Sequence, residues 1–178
     1  MQWKRSPNTY QQILMIKLED INIRTLFRPG DLGYVTYLHG DVYEKEYGFG
    51  LEFEAYVAET LAEFARQFNP AKDRVWICEY QNRIVGFLSL YGRENQAQLR
   101  YFILLPEFRG IGLGKKLMSL FVNSMKECQF NNAYLLTTER LKAAIGLYEK
   151  FGFTLIEERK SIGFSVPETE QRYELQLN

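Results

Sequence analysis

Three glycines fall within five residues in the stretch LLPEFRGIGLGKKL, positions 104 to 117, between an apolar run and a segment with helical spacing. A chain gives up that much backbone order where a turn needs positive φ or where another group must approach the main chain. The order of strand, Pro106, glycine loop and helix leaves unencumbered amides at a helix N-terminus, where the dipole adds partial positive charge. This geometry suits a pyrophosphate. Two nucleotide patterns are excluded by spacing. The phosphate loop G-x-x-x-x-G-K-[ST] fails because Arg109 stands in place of its first glycine and Lys116 in place of its hydroxyl. The dinucleotide fingerprint G-x-G-x-x-G fails because Lys115 occupies the place of the third glycine. Arg109, Gly112 and Gly114 do satisfy R-x-x-G-x-G. Taken alone, the same glycines would also serve a closely packed strand-to-helix turn.

A chain of 178 residues, 46% hydrophobic and 25% charged, is sized for one globular domain with a substantial core. Lys plus Arg balance Asp plus Glu at 22 each, so no global field draws it to nucleic acid and any bound anion must be held locally. No membrane partner is expected, because there is neither a signal-peptide pattern nor an apolar span of about 18 residues. Cys78 and Cys128 stand in no metal or redox spacing, which reads as a reduced, cytoplasmic chain. His39 is the only histidine. Multi-histidine metal sites are therefore excluded, no metal is expected, and a serine or cysteine triad could draw only on that residue.

Residues 1–14 are polar and aperiodic and read as a leader or capping segment ahead of a domain over 15–178. Ile21, Ile23 and Thr25 alternate as in a strand, and Pro29 with Asp31 prepares a helix. From there to Phe68 the pattern is helical, with Val57, Leu61, Phe64, Ala65 and Phe68 on one buried stripe. DRVWICEY and RIVGFLSLY, joined by QN, read as a hairpin. AQLRYFILL is a third strand, apolar on both faces towards Leu105 and stopped by Pro106. Leu113, Leu117, Leu120, Phe121, Met125 and Cys128 mark a helix, and NNAYLLTT a strand. LKAAIGLYEKFG is a helix closed by Gly152, and FTLIEE and QRYELQL are the last strands. Together these make a single mixed α/β domain.

The glycine loop, and the segment AAIGLYEKFGF at positions 143 to 153 with a strand between them, resemble the GNAT family of N-acetyltransferases. RPGDLGYVTYLHGDVYEKEYGF and RYELQL are also similar to acetyltransferase domains fused to winged-helix regulators, and the upstream segment is too short for that DNA-binding domain. The resemblance implies a single mixed, mostly antiparallel, twisted sheet of six or seven strands, with helices on both faces and a splayed central strand pair. It implies acetyl-CoA as co-substrate and an amine as acceptor. By the same match, Ile103, Leu104 and Leu105 offer backbone groups to the pantetheine arm, and Arg109, Gly110, Ile111, Gly112, Leu113, Gly114 and Lys115 wrap the pyrophosphate. Ala144 lines the arm, and Tyr148 is both a cofactor contact and the general acid for the leaving thiolate. One departure is Leu141, where most members of the family carry an asparagine that helps to hold the arm.

Leu141, Ala144, Ile145 and Tyr148 share one helical face, so a hydroxyl there reaches the groove that holds the arm. For the base, Glu46 is preferred and His39 is the alternative; His39, Glu46 and Tyr47 are the expected acceptor-site residues. An ordinary solvated or satisfied polar role competes for His39 and Glu46, and a core role for Tyr148. The aromatic cluster Tyr34, Tyr37, Tyr43, Tyr47 and Phe49 is read as core packing, an acceptor pocket or a homodimer contact. The functional expectation is acetyl transfer to a primary amine by direct attack. The alternative is a non-catalytic acyl-CoA sensor.

Overall fold

The computed structural model describes residues 16–164 and 166–177. The expected leader over 1–14 lies outside the described residues. Seven strands form one sheet: β1 Asn22–Arg24, β2 Arg74–Tyr80, β3 Arg83–Arg93, β4 Gln96–Leu104, β5 Asn132–Thr138, β6 Thr154–Gly163 and β7 Val166–Gln176. Their spatial order is β1-β2-β3-β4-β5-β7-β6, and every neighbouring pair is antiparallel except β4 with β5. Four α-helices accompany them: α1 Asp31–Tyr47, α2 Leu51–Gln67, α3 Leu113–Glu127 and α4 Lys142–Lys150. The expected mixed α/β architecture is present, with two differences in extent.

The helical pattern up to Phe68 is two helices. Gly48, at φ 76°, ends α1 in the left-handed conformation, with its amide donating to the carbonyls of Glu44 and Tyr43, and Gly50 then starts α2. The last two strands run further than their alternating segments suggest, pairing from Thr154↔Glu174 to Gly163↔Val166 as one long hairpin. Most of β6 is exposed, so the two-residue alternation that marks a half-buried strand is missing there. The QN hairpin turn holds as read, with Gln81 and Asn82 both at positive φ between β2 and β3.

Side-chain alternation sorts the helices to two faces of the sheet. On one face Phe64 of α2 meets Tyr101, which in turn meets Phe87; on the other, Phe121 of α3 meets Trp76 and Phe153. Val57, Leu61 and Phe64 bury the α2 stripe, and Leu113, Leu117, Phe121 and Met125 that of α3, each at or near full burial.

A buried charge cluster fixes where α1 starts. Arg24 of β1 reaches Asp31, the first residue of α1, at 2.7 Å and Glu79 of β2 at 2.9 Å, with all three side chains largely out of solvent. Arg24 holds the Glu79 carboxyl below its usual range. Arg24→Ala would leave the largely buried Asp31 carboxylate without its ion pair and Glu79 with only the exposed Arg28 at 3.8 Å, and should lower stability in urea denaturation by about 3 kcal/mol. Replacing Asp31 and Glu79 by their amides in the same variant should restore part of that loss.

Candidate functional site

β4 and β5 run parallel and pair only at Gln96↔Asn132, Ala97↔Ala133 and Gln98↔Tyr134, after which they part. Just beyond the last pair, β4 carries a bulge. Phe87 faces Ile103 and Ser89 faces Arg100, so Tyr101 and Phe102 stand against the single residue Leu88. Tyr101 takes φ 55°, a value rare for a tyrosine. One consequence is directional. Arg100 and Tyr101, although consecutive, both point to the α1/α2 side, where they meet Tyr56 and His39, while Phe102 turns to Tyr148 of α4. Between the separated strands lies a cleft of about 490 Å³. His39, Arg100, Phe102, Leu141 and Tyr148 are among its walls.

The glycine loop lies between the end of β4 and α3. Gly110 and Gly112 have φ 80° and 90°, which only glycine adopts without strain, and Gly112 is the N-cap of α3. Gly114 serves packing instead: an added Cβ would meet Leu147 of α4 at 3.1 Å. The reading as a closely packed strand-to-helix turn thus holds at Gly114. Among the described residues, no acceptor receives the amides of Gly110 through Lys115, and no side chain caps α3. Lys115 and Lys116 are exposed and form no ion pair among the described residues. The arrangement is a row of free donors at a positive dipole end.

Arg109 ties this loop to its surroundings. Its Nε donates to the Leu104 carbonyl at 3.1 Å and its Nη1 lies 2.9 Å from the Glu46 carboxylate. Glu46 and Tyr47 are therefore beside the loop, at the end of α1, and neither is part of the cleft wall. Ile103 and Leu105 are buried, and β4 beyond Gln98 has no strand on its β5 edge. Ala144 is half-buried against the core. Leu141, the N-cap of α4, offers no side-chain cap.

Tyr148 and His39 are both almost fully buried and both line the cleft. Burial, reinforced by Tyr43 and Tyr47, pushes the Tyr148 phenol well above its ordinary range, so it stays protonated. Desolvation lowers the His39 pKa to about 4. Its Nδ1 donates to the Val35 carbonyl at 2.8 Å, and because a carbonyl only accepts, the proton is on Nδ1 and Nε2 carries the lone pair. That Nε2 has no partner among the described residues. Tyr43 and Phe49 of the aromatic cluster also reach the cleft, whereas Tyr37 is exposed.

Sequence patterns do not single out Arg100, Phe53, Tyr56, Thr137, Thr138, Phe164 and Gln171, which also form cleft walls. They come from both arms of the parted strands, from α2 and from the β6–β7 hairpin, and no local spacing connects them. Among the described residues no group of histidine, cysteine or acidic side chains could hold a metal, and no helix is long and apolar enough to cross a membrane.

The family model for the acetyltransferase (GNAT) family matches residues 35–153. This chain belongs to that family. It is 35% identical over 117 residues to the uncharacterized N-acetyltransferase YjgM of Escherichia coli, covering 63% of this chain and 70% of the relative. It is 32% identical over 80 residues to the ribosomal protein bS18-alanine N-acetyltransferase of Haemophilus influenzae, covering 45% and 54%. Among solved structures, an acetyltransferase from Streptococcus agalactiae superposes with TM-score 0.71 at 22% identity, covering 89% of this chain and 99% of that one. A spermidine N-acetyltransferase from Vibrio cholerae, solved with CoA and spermine, gives TM-score 0.65 at 20% identity over 89% and 96%. These two show the shared fold.

The state of His39 has a measurable consequence. Its folded pKa of about 4 lies below the unfolded value of 6.5, so the stability tied to the neutral ring is complete above 6.5 and is lost as pH falls towards 4. The stability gap between wild type and His39→Gln, followed by urea denaturation, should narrow by roughly 3 kcal/mol across that window. Parallel curves would mean that the ring is not held neutral.

Proposed function

We propose that this chain is an N-acetyltransferase, moving the acetyl group of acetyl-CoA to a primary amine by direct attack in a ternary complex. The observation that carries the reading is the parting of β4 from β5, with the free amides of Gly110 through Lys115 at one end and buried Tyr148 in the wall. Acetyl-CoA would supply an activated thioester. The loop amides and Arg109 would hold its pyrophosphate, and the loop suits that role because added bulk at Gly110 would meet nothing within 4 Å while its amides lack protein acceptors. The backbone of Ile103 through Leu105 would hold the arm, with Ala144 and Tyr148 on the α4 side.

Each chemical demand then has a residue. The Tyr148 hydroxyl, kept protonated by burial, donates to the departing thiolate. The Nε2 lone pair of His39 accepts a hydrogen bond from the incoming neutral amine and orients it. With a pKa of about 4 the ring takes up no second proton at neutral pH, so the amine's proton would pass through the cleft to water. Glu46, in contact with Arg109, is assigned to positioning that arginine rather than to the base role preferred from sequence. Two unbridged cysteines, Cys78 and Cys128, support a reducing, cytoplasmic setting.

Calorimetry should show acetyl-CoA binding, and Gly112→Ala, which forces a side chain to φ 90°, should weaken it about tenfold. Thiol release with a panel of amines tests transfer itself. Tyr148→Phe should reduce kcat by about 100-fold and leave acetyl-CoA affinity within about threefold. Binding without thiol release from any amine would identify a sensor instead of an enzyme, and absence of binding would overturn the reading altogether.

A further inference from the structure

The cleft wall on the α1/α2 side is aromatic. Phe53 and Phe164 stand 5.0 Å apart between ring centres, and Tyr56 and Phe164 5.4 Å apart. Its charges are not all compensated. Arg159 pairs with Glu170 at 2.7 Å and Arg172 with Glu174 at 2.7 Å, whereas Arg100 has no carboxylate within ion-pair distance among the described residues. Glu157, the remaining carboxylate of the wall, lies on the exposed strand β6.

Arg100 is nevertheless held in place. Its Nη2 donates to the Tyr56 hydroxyl at 3.0 Å, and its guanidinium carbon lies 4.7 Å from the centre of the Tyr101 ring. A guanidinium has five N–H donors, so a fixed and half-buried cation is left with donors to spare. A second group of atoms shows the complementary deficit. The Gln171 Nε2 donates to Glu158 Oε1 at 2.6 Å, and since a carboxylate only accepts, Oε1 is the free end of that amide. This Oε1, like His39 Nε2, is buried without a partner among the described residues. Both are acceptors awaiting an N–H, and an unmet buried acceptor is costly.

We propose that the acceptor is a small amino carboxylate with an apolar or aromatic body, its carboxylate held by Arg100 and its amine directed to His39 and Gln171. This rests on the acetyl-transfer reading above and names the substrate class of the same cleft. A polyamine would need buried carboxylates free of arginines, and the one lining carboxylate without an arginine partner, Glu157, stands exposed on β6. An apolar body suits the rings of Phe53, Tyr56 and Phe164, which offer surface and few donors. The carboxylate gains the charge-assisted, two-point contact that a guanidinium gives best.

The test is a matched series assayed by thiol release with saturating acetyl-CoA: phenylalanine, phenylalaninamide, 2-phenylethylamine and spermidine. The amide has the less basic amine and so the larger neutral fraction at neutral pH; a preference for the acid therefore reports the carboxylate and not amine reactivity. Phenylalanine should exceed its amide and 2-phenylethylamine in kcat/KM by about tenfold or more. In Arg100→Met the acid-to-amide ratio should collapse to within about threefold, with Arg100→Lys between the two. A better rate with the amide or spermidine than with the acid overturns the proposal, as does an unchanged ratio in Arg100→Met. Should that variant not fold, as judged by lost acetyl-CoA affinity, the wild-type ratio decides. Failure of wild type to bind acetyl-CoA overturns the acetyl-transfer reading and this one together. Binding with no turnover of any amine, or turnover without carboxylate preference, overturns this one while leaving cofactor binding intact.

Discussion

The separation of β4 from β5 is the feature on which the rest of the site depends. Two adjacent parallel strands in mid-sheet would ordinarily pair along their length, and here they stop after Gln98↔Tyr134. Just past the stop lies the bulge, where Tyr101 at φ 55° holds a conformation that costs about 1–3 kcal/mol for a residue with a side chain. Packing offsets that cost, since the Tyr101 ring is buried against Phe64, Phe87 and His39. Without the extra residue, alternation would send Arg100 and Tyr101 to opposite faces. With it, one short stretch of strand supplies a cation to one side of the cleft and Phe102 to the other.

The glycine loop depends on the same parting. α3 follows β4 across the glycine loop, and Gly114 lets α4 pack closely on α3 through Leu147. That contact brings Tyr148 to the mouth opened by the strands, so one glycine acts on the position of a tyrosine far along the chain. Gly110 and Gly112 perform a different task, taking the positive φ that the turn into α3 requires. Arg109 joins the parts by gripping the Leu104 carbonyl and Glu46 at once, which links the unpaired end of β4 to the end of α1.

The elements that the sequence revealed are those whose residues are neighbours along the chain. The α3 stripe, the QN turn and R-x-x-G-x-G each need only a short window, and each has the predicted structure around it. The break at Gly48 to Gly50 was present in the glycines, but apolar residues continue at helical spacing on both sides and mask it. The exposed β6 strand lacked alternation because neither of its faces is covered for most of its length. Arg100 was the least legible residue. Its importance comes from a bulge, from a tyrosine hydroxyl 44 positions earlier and from acids that pair with other arginines, and none of these leaves a local pattern.

Burial acts on Tyr148 and His39 in opposite chemical directions with one electrical result. It raises the phenol of Tyr148 and lowers the imidazole of His39, so both are neutral near pH 7. Arg159 and Arg172 are neutralised by Glu170 and Glu174. What is left is Glu157, exposed on β6, and Arg100, half-buried against the aromatic wall, where a charge contrast is felt more strongly than in water. A cleft of this kind separates amines by what they carry beyond the amine. On the proposed reading every acceptor brings an N–H for His39 and Gln171, but a second positive charge would meet Arg100 as a like charge, and a carboxylate would meet it as a partner. On the proposed reading, selection is decided by Arg100 on the bulged strand, while Tyr148 in the wall of the same cleft would serve transfer.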